Sequence, residues 1–295
     1  MKYLIGIDAG GSKSELTAYD LSGNILSEIA GGAGNPAINL ESTMNNIISL
    51  INKCAAELGK ECMLISIGMA SVETGNYVEL IKKHVEDTCK IETLVFNDGE
   101  MACKAYFQEN DGILAIAGTG SSCYVQKNGH GEMVGGWGHI LGDEGSGYHI
   151  VIELFKEIIY NIDKNIELDN LSVQALREIG GSSRSEIMNF IYNNEKDTIA
   201  ALFPIIAHCG ENGDNHAETL LNTAGKNLAE LTSTAYKKKG FKGHITIGIK
   251  GGVFHNSIVI RQSYINELKK QLKSFSIIEK DISATKAVLY LYSNK

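Results

Sequence analysis

The sequence predicts an α/β protein made of two similar halves, and three observations support this fold class. Short apolar strands alternate with amphipathic helices from Tyr3 onward. The pattern of strands and turns that opens the chain starts again at Gly112. The 32 glycines among 295 residues exceed the usual share, whereas only 2 prolines occur. This excess of glycine indicates that the backbone approaches other atoms closely at several places.

The first half, predicted as residues 1–110, has the element order βββαβαβα. Three strands joined by turns open it, and amphipathic helices then alternate with buried strands. The helix over 41–58 carries apolar residues at spacings of three and four and stops at Gly59. In chain order the predicted strands and helices cover 3–7, 14–20, 25–30, 41–58, 63–69, 77–85, 91–96 and 99–107.

The second half, predicted as residues 111–282, repeats this opening design. Gly10 and Gly118 each follow a short apolar strand and begin a turn rich in glycine and hydroxyl side chains, which an internal duplication explains. A helical segment at about 148–240 interrupts this half before strand character returns. The other predicted elements cover 112–117, 122–127, 133–134, 244–249, 258–273, 275–278 and 283–293.

The composition is that of an ordinary globular protein rather than a fibrous, disordered or membrane-spanning one. The formal net charge of −8 argues against a protein that binds nucleic acid or anionic membranes. The 6 cysteines include no CxxC pair, which indicates reduced thiols and neither a zinc site nor a redox motif. The apolar run before Asp8 is too short for a secretion signal, so we expect a cytoplasmic protein.

Two turns have the residue types needed to hold phosphate. The first, at 8–14, matches neither GxGxxG nor GxxxxGK[ST], and a strand rather than a helix follows it. Glycines in such a hairpin still let successive backbone N–H groups converge on an anion. The second turn, at 118–122, has the same chemistry without the aspartate. We expect the two turns, one from each half, to hold a nucleoside triphosphate between them.

Short motifs along nearly the whole chain carry a specific family resemblance. In order they are Asp8-Ala9-Gly10-Gly11-Ser12-Lys13, Gly34-Asn35, Asn97-Asp98, Gly118-Thr119-Gly120-Ser121, Gly135-Gly136-Trp137-Gly138, Gly142-Asp143-Glu144-Gly145-Ser146-Gly147 and Gly251-Gly252-Val253. In this combination the chain resembles the BadF/BadG/BcrA/BcrD-type ATPases. Within them it is similar to the N-acetylglucosamine kinase-like branch of the superfamily that also contains sugar kinases, heat-shock 70 proteins and actin.

The resemblance implies two duplicated ribonuclease H-like domains of the actin-like ATPase type. Each domain would contain a mixed five-stranded sheet with helices, and the second would carry the helical insertion at about 148–240. The last helix, about 283–295, would pack on the first domain. The resemblance also implies a homodimer that acts on a small-molecule amino sugar and has neither a nucleic acid nor a membrane as partner.

The implied activity is transfer of the γ-phosphate of ATP to the 6-hydroxyl of N-acetylglucosamine, N-acetylmuramic acid or both, in amino sugar metabolism and cell wall recycling. Asp8 would organise Mg²⁺ through water, because this ion keeps several of its waters. For Lys13 the alternative is a solvated surface lysine, and for Gly213 it is an ordinary helix start. The implied ATP contacts are Gly10, Gly11, Ser12, Lys13, Thr119, Gly120, Ser121, Gly213, Gly251 and Gly252.

Asp98 follows an apolar strand at the position of the family's catalytic aspartate, so it would be the general base for the sugar hydroxyl. The other role open to Asp98 is the N-cap of the helix that follows. Trp137 would either shape the sugar-binding loop or act as a hydrophobic plug. The implied sugar contacts are Asn35, Ser71, Asp98, Gly135, Gly136 and Asp143.

Three other functions stay open at this point. One branch of the family activates 2-hydroxyacyl-CoA dehydratases and holds an iron–sulfur cluster through cysteines, and Cys123 follows the second turn. A glucosamine kinase and a non-catalytic sugar sensor on the same fold are the other two. The cysteine-rich zinc motif of the repressor and open-reading-frame kinases does not occur in the sequence, so we expect no structural metal.

Overall fold

The computed structural model describes residues 1–11, 13–72 and 75–294 and contains two five-stranded sheets. The chain divides into two compact units, each with its own buried apolar core. The first unit comprises Met1–Asp111, Gln126–Glu132 and Ile282–Lys295, and the second comprises Gly112–Val125 and Met133–Asp281. The duplicated α/β architecture predicted from the sequence is confirmed.

The first sheet is mixed and has the strand order β3-β2-β1-β4-β5. β1 pairs antiparallel with β2 and parallel with β4, and β4 in turn pairs parallel with β5. Three helices complete this part of the first unit. The elements are β1 (Tyr3–Ala9), β2 (Ser14–Asp20), β3 (Ile25–Gly31), α1 (Leu40–Leu58), β4 (Cys62–Met69), α2 (Tyr77–Cys89), β5 (Thr93–Asn97) and α3 (Asp98–Phe107).

The parallel strands of the first sheet end in register. Ala9 of β1 pairs with Met69 of β4, which pairs with Asn97 of β5. Neighbouring strands lie about 4.8 Å apart, so the residues that follow these three are within about 10 Å of one another along the sheet edge. Residues that follow directly are Gly10, Ala70 and Asp98.

The second sheet has the order β10-β9-β6-β7-β8, with β9 parallel to both β6 and β10. Its strands are β6 (Gly112–Ala117), β7 (Ser121–Lys127), β8 (His130–Gly135), β9 (Ile245–Lys250) and β10 (Phe275–Ile278). The helices are α4 (Gly147–Asp163), α5 (Asn170–Glu178), α6 (Arg184–Asn193), α7 (Lys196–Ala200), α8 (Phe203–Glu211), α9 (Asn215–Lys238), α10 (Gly252–His255) and α11 (Ile258–Gln271). The predicted helical insertion therefore consists of six helices, α4 to α9.

Two predicted elements differ from the structure. The strand expected at 133–134 is the longer β8, because its first residues are polar and mostly exposed and so give no apolar signal. The final helix, expected at 283–293, begins as a 3₁₀ turn at Ala284–Lys286 and becomes α12 only at Ala287–Ser293. No helix in the described part of the chain is long and apolar enough to cross a membrane.

The C-terminal segment packs tightly on the first sheet. The hydroxyl groups of Tyr19 and Thr285 are 2.8 Å apart and buried, and Val288 of α12 joins a buried cluster with Leu4. A Cβ atom placed on Gly6 would lie 2.1 Å from the carbonyl oxygen of Thr285. Glycine at this position of β1 is therefore needed for the C-terminal segment to dock.

We predict that Gly6→Ala destabilises the protein by about 1–3 kcal/mol or more, because the new methyl group meets backbone that cannot move aside easily. The matched control is Gly243→Ala, since a Cβ there has no heavy atom within 4 Å among the residues described. The control should change the free energy of unfolding by less than about 1 kcal/mol. Urea denaturation followed by circular dichroism measures both variants, and equal stabilities would contradict the tight docking.

Candidate active site

Two backbone hydrogen bonds made by Gly10 hold the first turn predicted to bind phosphate, residues 8–14, here called the first phosphate turn. The Gly10 N–H donates to the Lys13 carbonyl at 2.9 Å, and the Gly10 carbonyl accepts from the Gly34 N–H at 2.8 Å. The Lys13 ammonium pairs with Glu15 at 2.7 Å on the surface, and this hydrogen bond raises the pKa of Lys13. Ser12, a predicted ATP contact, lies outside the described residues.

The glycine loop after β3 is fixed to the first turn by Asn46 of α1. The Asn46 amide nitrogen donates to the Gly32 carbonyl at 2.8 Å and to Ser14 Oγ at 3.3 Å, and its oxygen accepts from the Gly32 N–H at 3.1 Å. A Cβ on Gly34 would lie 2.5 Å from the Ala9 side chain, so the loop passes directly over the end of β1. This packing places Asn35, the next residue, beside the carboxyl edge of the first sheet.

Two predicted sugar contacts meet at this edge. The Asn35 amide nitrogen donates to Ser71 Oγ at 3.3 Å, and the Asn35 side-chain oxygen accepts from the Ala37 N–H at 3.0 Å. Ser71 lies just beyond the end of β4 and has a φ of 58°, in the left-handed region. An amide and a hydroxyl held together supply both donors and acceptors, which is what sugar hydroxyls require.

Asp8 and Asp98 also lie at the carboxyl edge of the first sheet. Asp8 is the next-to-last residue of β1 and is half-buried, and Asp98 is the first residue of α3, directly after β5. The N-cap of α3 is Asn97, whose side-chain oxygen accepts from the N–H groups of Gly99 and Glu100 at 2.8 and 3.3 Å. The Asp98 carboxylate also accepts from the Gly99 N–H, at 2.8 Å, so Asn97 is the N-cap and Asp98 shares one of its hydrogen bonds.

The second phosphate turn is tied to the start of α4. The Gly118 N–H donates to the Gly120 carbonyl at 2.9 Å, and the Gly118 carbonyl accepts from the Gly147 N–H at 2.8 Å. The Thr119 carbonyl accepts from the first turn of α4, and the Ser121 hydroxyl donates to the Glu144 carbonyl at 2.9 Å. These hydrogen bonds to neighbouring segments fix the shape of the second phosphate turn.

Asp143, a predicted sugar contact, lies against the second turn. Its side chain is buried, and a Cβ on Gly120 would lie 2.8 Å from one of its carboxylate oxygens. Gly135 and Gly136 precede the predicted sugar loop with φ values of 74° and 69°. Trp137, the residue after them, is 75% exposed, so the alternative of a hydrophobic plug is wrong. Asp143, a predicted sugar contact, and Gly120, a predicted ATP contact, therefore lie side by side in the second unit.

The loop from Lys250 to His255, here called the nucleotide loop, contains the two predicted adenosine glycines. A Cβ on Gly251 would lie 2.4 Å from the Ala117 carbonyl oxygen, and its φ is 103°, so the fold itself requires glycine there. Gly252 is different, since the nearest atom to its Cβ position is Asn256 Nδ2 at 3.5 Å. Packing within the protein therefore does not explain why residue 252 is a glycine.

Gly11 and Gly118 share this property with Gly252. Neither lies in the left-handed region, and a Cβ on either would have no described heavy atom within 4 Å. Gly243, which is not among the predicted site residues, has the same open surroundings, so the fold leaves room for a ligand at Gly11 and Gly118 without requiring one. Gly213 instead has a φ of 84° just before Asp214, the N-cap of α9, which is the ordinary helix start considered for it.

Two side chains that hold the backbone around the candidate site were not identified from the sequence. Asn46 lies in the middle of α1, and nothing in the helical pattern marks it as a partner of a loop more than ten residues earlier. Asn97 could have been recognised, because asparagine is a preferred N-cap and an acidic residue follows it in the first turn.

The chain is similar to known enzymes over most of its length. It is 30% identical, over an alignment of 305 positions, to the N-acetylmuramic acid/N-acetylglucosamine kinase of Clostridium acetobutylicum, with 98% of each chain covered. It is 26% identical over 255 residues to the N-acetyl-D-glucosamine kinase of Dictyostelium discoideum, with 80% of each covered. A crystal structure from Chromobacterium violaceum, provisionally assigned as an N-acetylglucosamine kinase, has 20% identity and a TM-score of 0.80 over 99% of both chains.

Two five-stranded sheets, each with a glycine turn after its central strand, define the duplicated ribonuclease H-like fold of the actin-like ATPases. The chain belongs to the BadF/BadG/BcrA/BcrD ATPase family, whose model matches residues 5–289. The family resemblance seen in the sequence is thereby confirmed.

The nucleotide loop offers a test that separates folding from binding. Gly251→Ala should destabilise the protein, because its methyl group meets the Ala117 carbonyl. Gly252→Ala should keep wild-type stability and yet weaken ADP binding by about tenfold, because its methyl group occupies space that adenosine needs. Urea denaturation and isothermal titration with ADP measure the two effects. Unchanged ADP affinity in the stable Gly252→Ala variant would contradict close approach of the nucleotide at this residue.

Proposed function

We propose that this protein is an ATP-dependent kinase that transfers the γ-phosphate to the 6-hydroxyl of an N-acetylated amino sugar, N-acetylglucosamine, N-acetylmuramic acid or both. Asp98 is the general base in this proposal, and Mg²⁺ is the metal ion. A cytoplasmic homodimer is part of the same proposal. The named relatives, which are kinases of these sugars, support the choice of acceptor.

One observation carries the proposal. The register of the parallel strands brings Asp98 to the same sheet edge as the Asn35–Ser71 pair and the first phosphate turn. Phosphoryl transfer needs the acceptor hydroxyl, a proton acceptor and the phosphate held in one place. The first unit supplies a candidate for each of these from elements that are locked together by hydrogen bonds.

The residues present fit ATP and Mg²⁺. Gly11, Gly118 and Gly252 leave space at their Cβ positions that the fold does not use, as expected where backbone approaches phosphate or adenosine. Asp8 contributes a half-buried carboxylate at the end of β1, the oxygen ligand type that Mg²⁺ prefers. When bound, ATP supplies the phosphoryl group and Mg²⁺ offsets the charge of its phosphates.

The chemistry assigned to Asp98 is acceptance of one proton. As the first residue of α3 it lies at the positive end of the helix dipole, which favours the anionic carboxylate that a base must be. It accepts the proton that the 6-hydroxyl loses as the sugar oxygen bonds to phosphorus. Asn35 and Ser71 orient the sugar, and Asp143 with the Gly135–Gly136 backbone supplies the other proposed sugar contacts.

The alternative function as a dehydratase activator is not favoured by the surroundings of Cys123. Its side chain is buried, and its sulfur lies 3.5 Å from the hydroxyl of Thr232. Burial raises the pKa of the Cys123 thiol to about 12, so the thiolate needed to bind an iron–sulfur cluster is strongly disfavoured.

The choice among amino sugars is decided by a substrate panel. We expect ATP-dependent ADP release with N-acetylglucosamine, N-acetylmuramic acid or both, and much slower release with glucosamine and glucose. A coupled ADP assay measures these rates with the purified protein. Preference for glucosamine would instead support the glucosamine kinase alternative, and no activity on any amino sugar would overturn the proposal.

Asp98→Asn should fold and bind sugar normally but lose about 10²- to 10⁴-fold in kcat, because the amide cannot accept the proton. Glu100→Gln is the matched control, since it removes a carboxylate that pairs with Lys104 at 3.4 Å in the same helical turn. The control should keep kcat within about twofold of wild type, because a partly buried ion pair between neighbouring turns of one helix contributes little by itself. A near wild-type kcat in Asp98→Asn would remove Asp98 from the role of base.

A further inference from the structure

The two ends of the nucleotide loop carry cationic or ionisable side chains. Lys250 is the last residue of β9, and His255 is the last residue of α10. Between them Gly251 and Gly252 begin α10, and the Gly251 carbonyl accepts from the His255 N–H at 3.2 Å. This hydrogen bond closes the turn between the two ends of the loop.

A single carboxylate, that of Asp281, contacts both ends of this loop. One oxygen of Asp281 lies 3.7 Å from Lys250 Nζ, and the other lies 3.2 Å from His255 Nε2. The three side chains are 48%, 23% and 34% exposed in the order Asp281, Lys250 and His255, so water screens the contacts only in part. Asp281 thus bridges the nucleotide loop from its first residue to its last.

The segment that follows Asp281 is firmly anchored. The Ile282 N–H donates to the Tyr106 hydroxyl at 3.1 Å, and Ser283 caps the 3₁₀ turn that follows. Thr285 is fully buried within that turn. These contacts hold the residues that follow Asp281 within the first unit.

We propose that Asp281 is a positioning residue for ATP, which holds Lys250 and His255 at the spacing that shapes Gly251 and Gly252 for the adenosine. This inference rests on the assignment of these two glycines to adenosine in the proposed function. Asp281 acts through the loop and needs no contact with the nucleotide itself. Removing its charge relaxes the loop, so the nucleotide must order it on binding and affinity falls.

The test is isothermal titration of ADP into the purified full-length protein without sugar. Asp281→Asn should bind ADP about three- to tenfold more weakly than wild type, the effect expected for loss of two partly exposed charge contacts. Asp281→Glu, which keeps the charge, should recover most of the affinity. Glu267→Gln is the matched control, because it breaks the Glu267–Lys270 pair, 2.7 Å long, on α11 of the same unit. Its ADP affinity should equal that of wild type.

Steady-state kinetics separate positioning from general damage. In Asp281→Asn the KM for ATP should rise by the same three- to tenfold factor, while kcat and the KM for the sugar change by less than about twofold. A loss of folding would instead lower kcat and weaken the binding of both ATP and the sugar. Thermal denaturation of each variant shows whether the protein is folded at the assay temperature.

Two results would overturn the inference: ADP affinity within twofold of wild type in folded Asp281→Asn, or an equal loss in Glu267→Gln. Neither depends on the sugar acceptor, because the titration contains no sugar. If the wild type phosphorylates no amino sugar but Asp281→Asn still loses ADP affinity, the proposed acceptor fails and the inference about Asp281 stands.

Discussion

The parallel pairing of the inner strands is the constraint on which the candidate site depends. β1, β4 and β5 run in the same direction and end in register at Ala9, Met69 and Asn97, and β6 runs parallel to β9 in the second sheet. Parallel strands deliver their carboxyl ends to one edge, which is where α/β proteins bind ligands. Side chains far apart in the sequence therefore become neighbours without any long loop to bring them together.

The glycines divide into two groups once the structure is known. Gly6, Gly34 and Gly251 are required by the fold, because a Cβ there would overlap atoms of the same unit. Gly11 and Gly118 have space around them and ordinary backbone angles, so the fold does not require glycine at either position. The glycine excess of the sequence therefore includes glycines that the packing requires and glycines at which the fold would accept a side chain.

The sequence predicted most of the fold, but it did not reveal the side chains that hold the candidate site in place. Buried strands and amphipathic helices were located well because their apolar pattern is local, whereas the polar edge strand β8 was largely missed. Asn97, the N-cap of α3, was not recognised, and Asp98 shares the hydrogen bond from the Gly99 N–H with it. Asn46 and Asp281 were not found at all, since their partners lie far away in the sequence and are brought close only by packing.

The position of the transferred phosphate tests the central claim most directly. The protein is incubated with ATP and N-acetylglucosamine or N-acetylmuramic acid, and the sugar product is analysed by phosphorus NMR with coupling to protons. We expect a phosphomonoester whose phosphorus couples to the two protons on C6. Phosphate on the anomeric oxygen, or release of inorganic phosphate with the sugar unchanged, would contradict a 6-hydroxyl kinase.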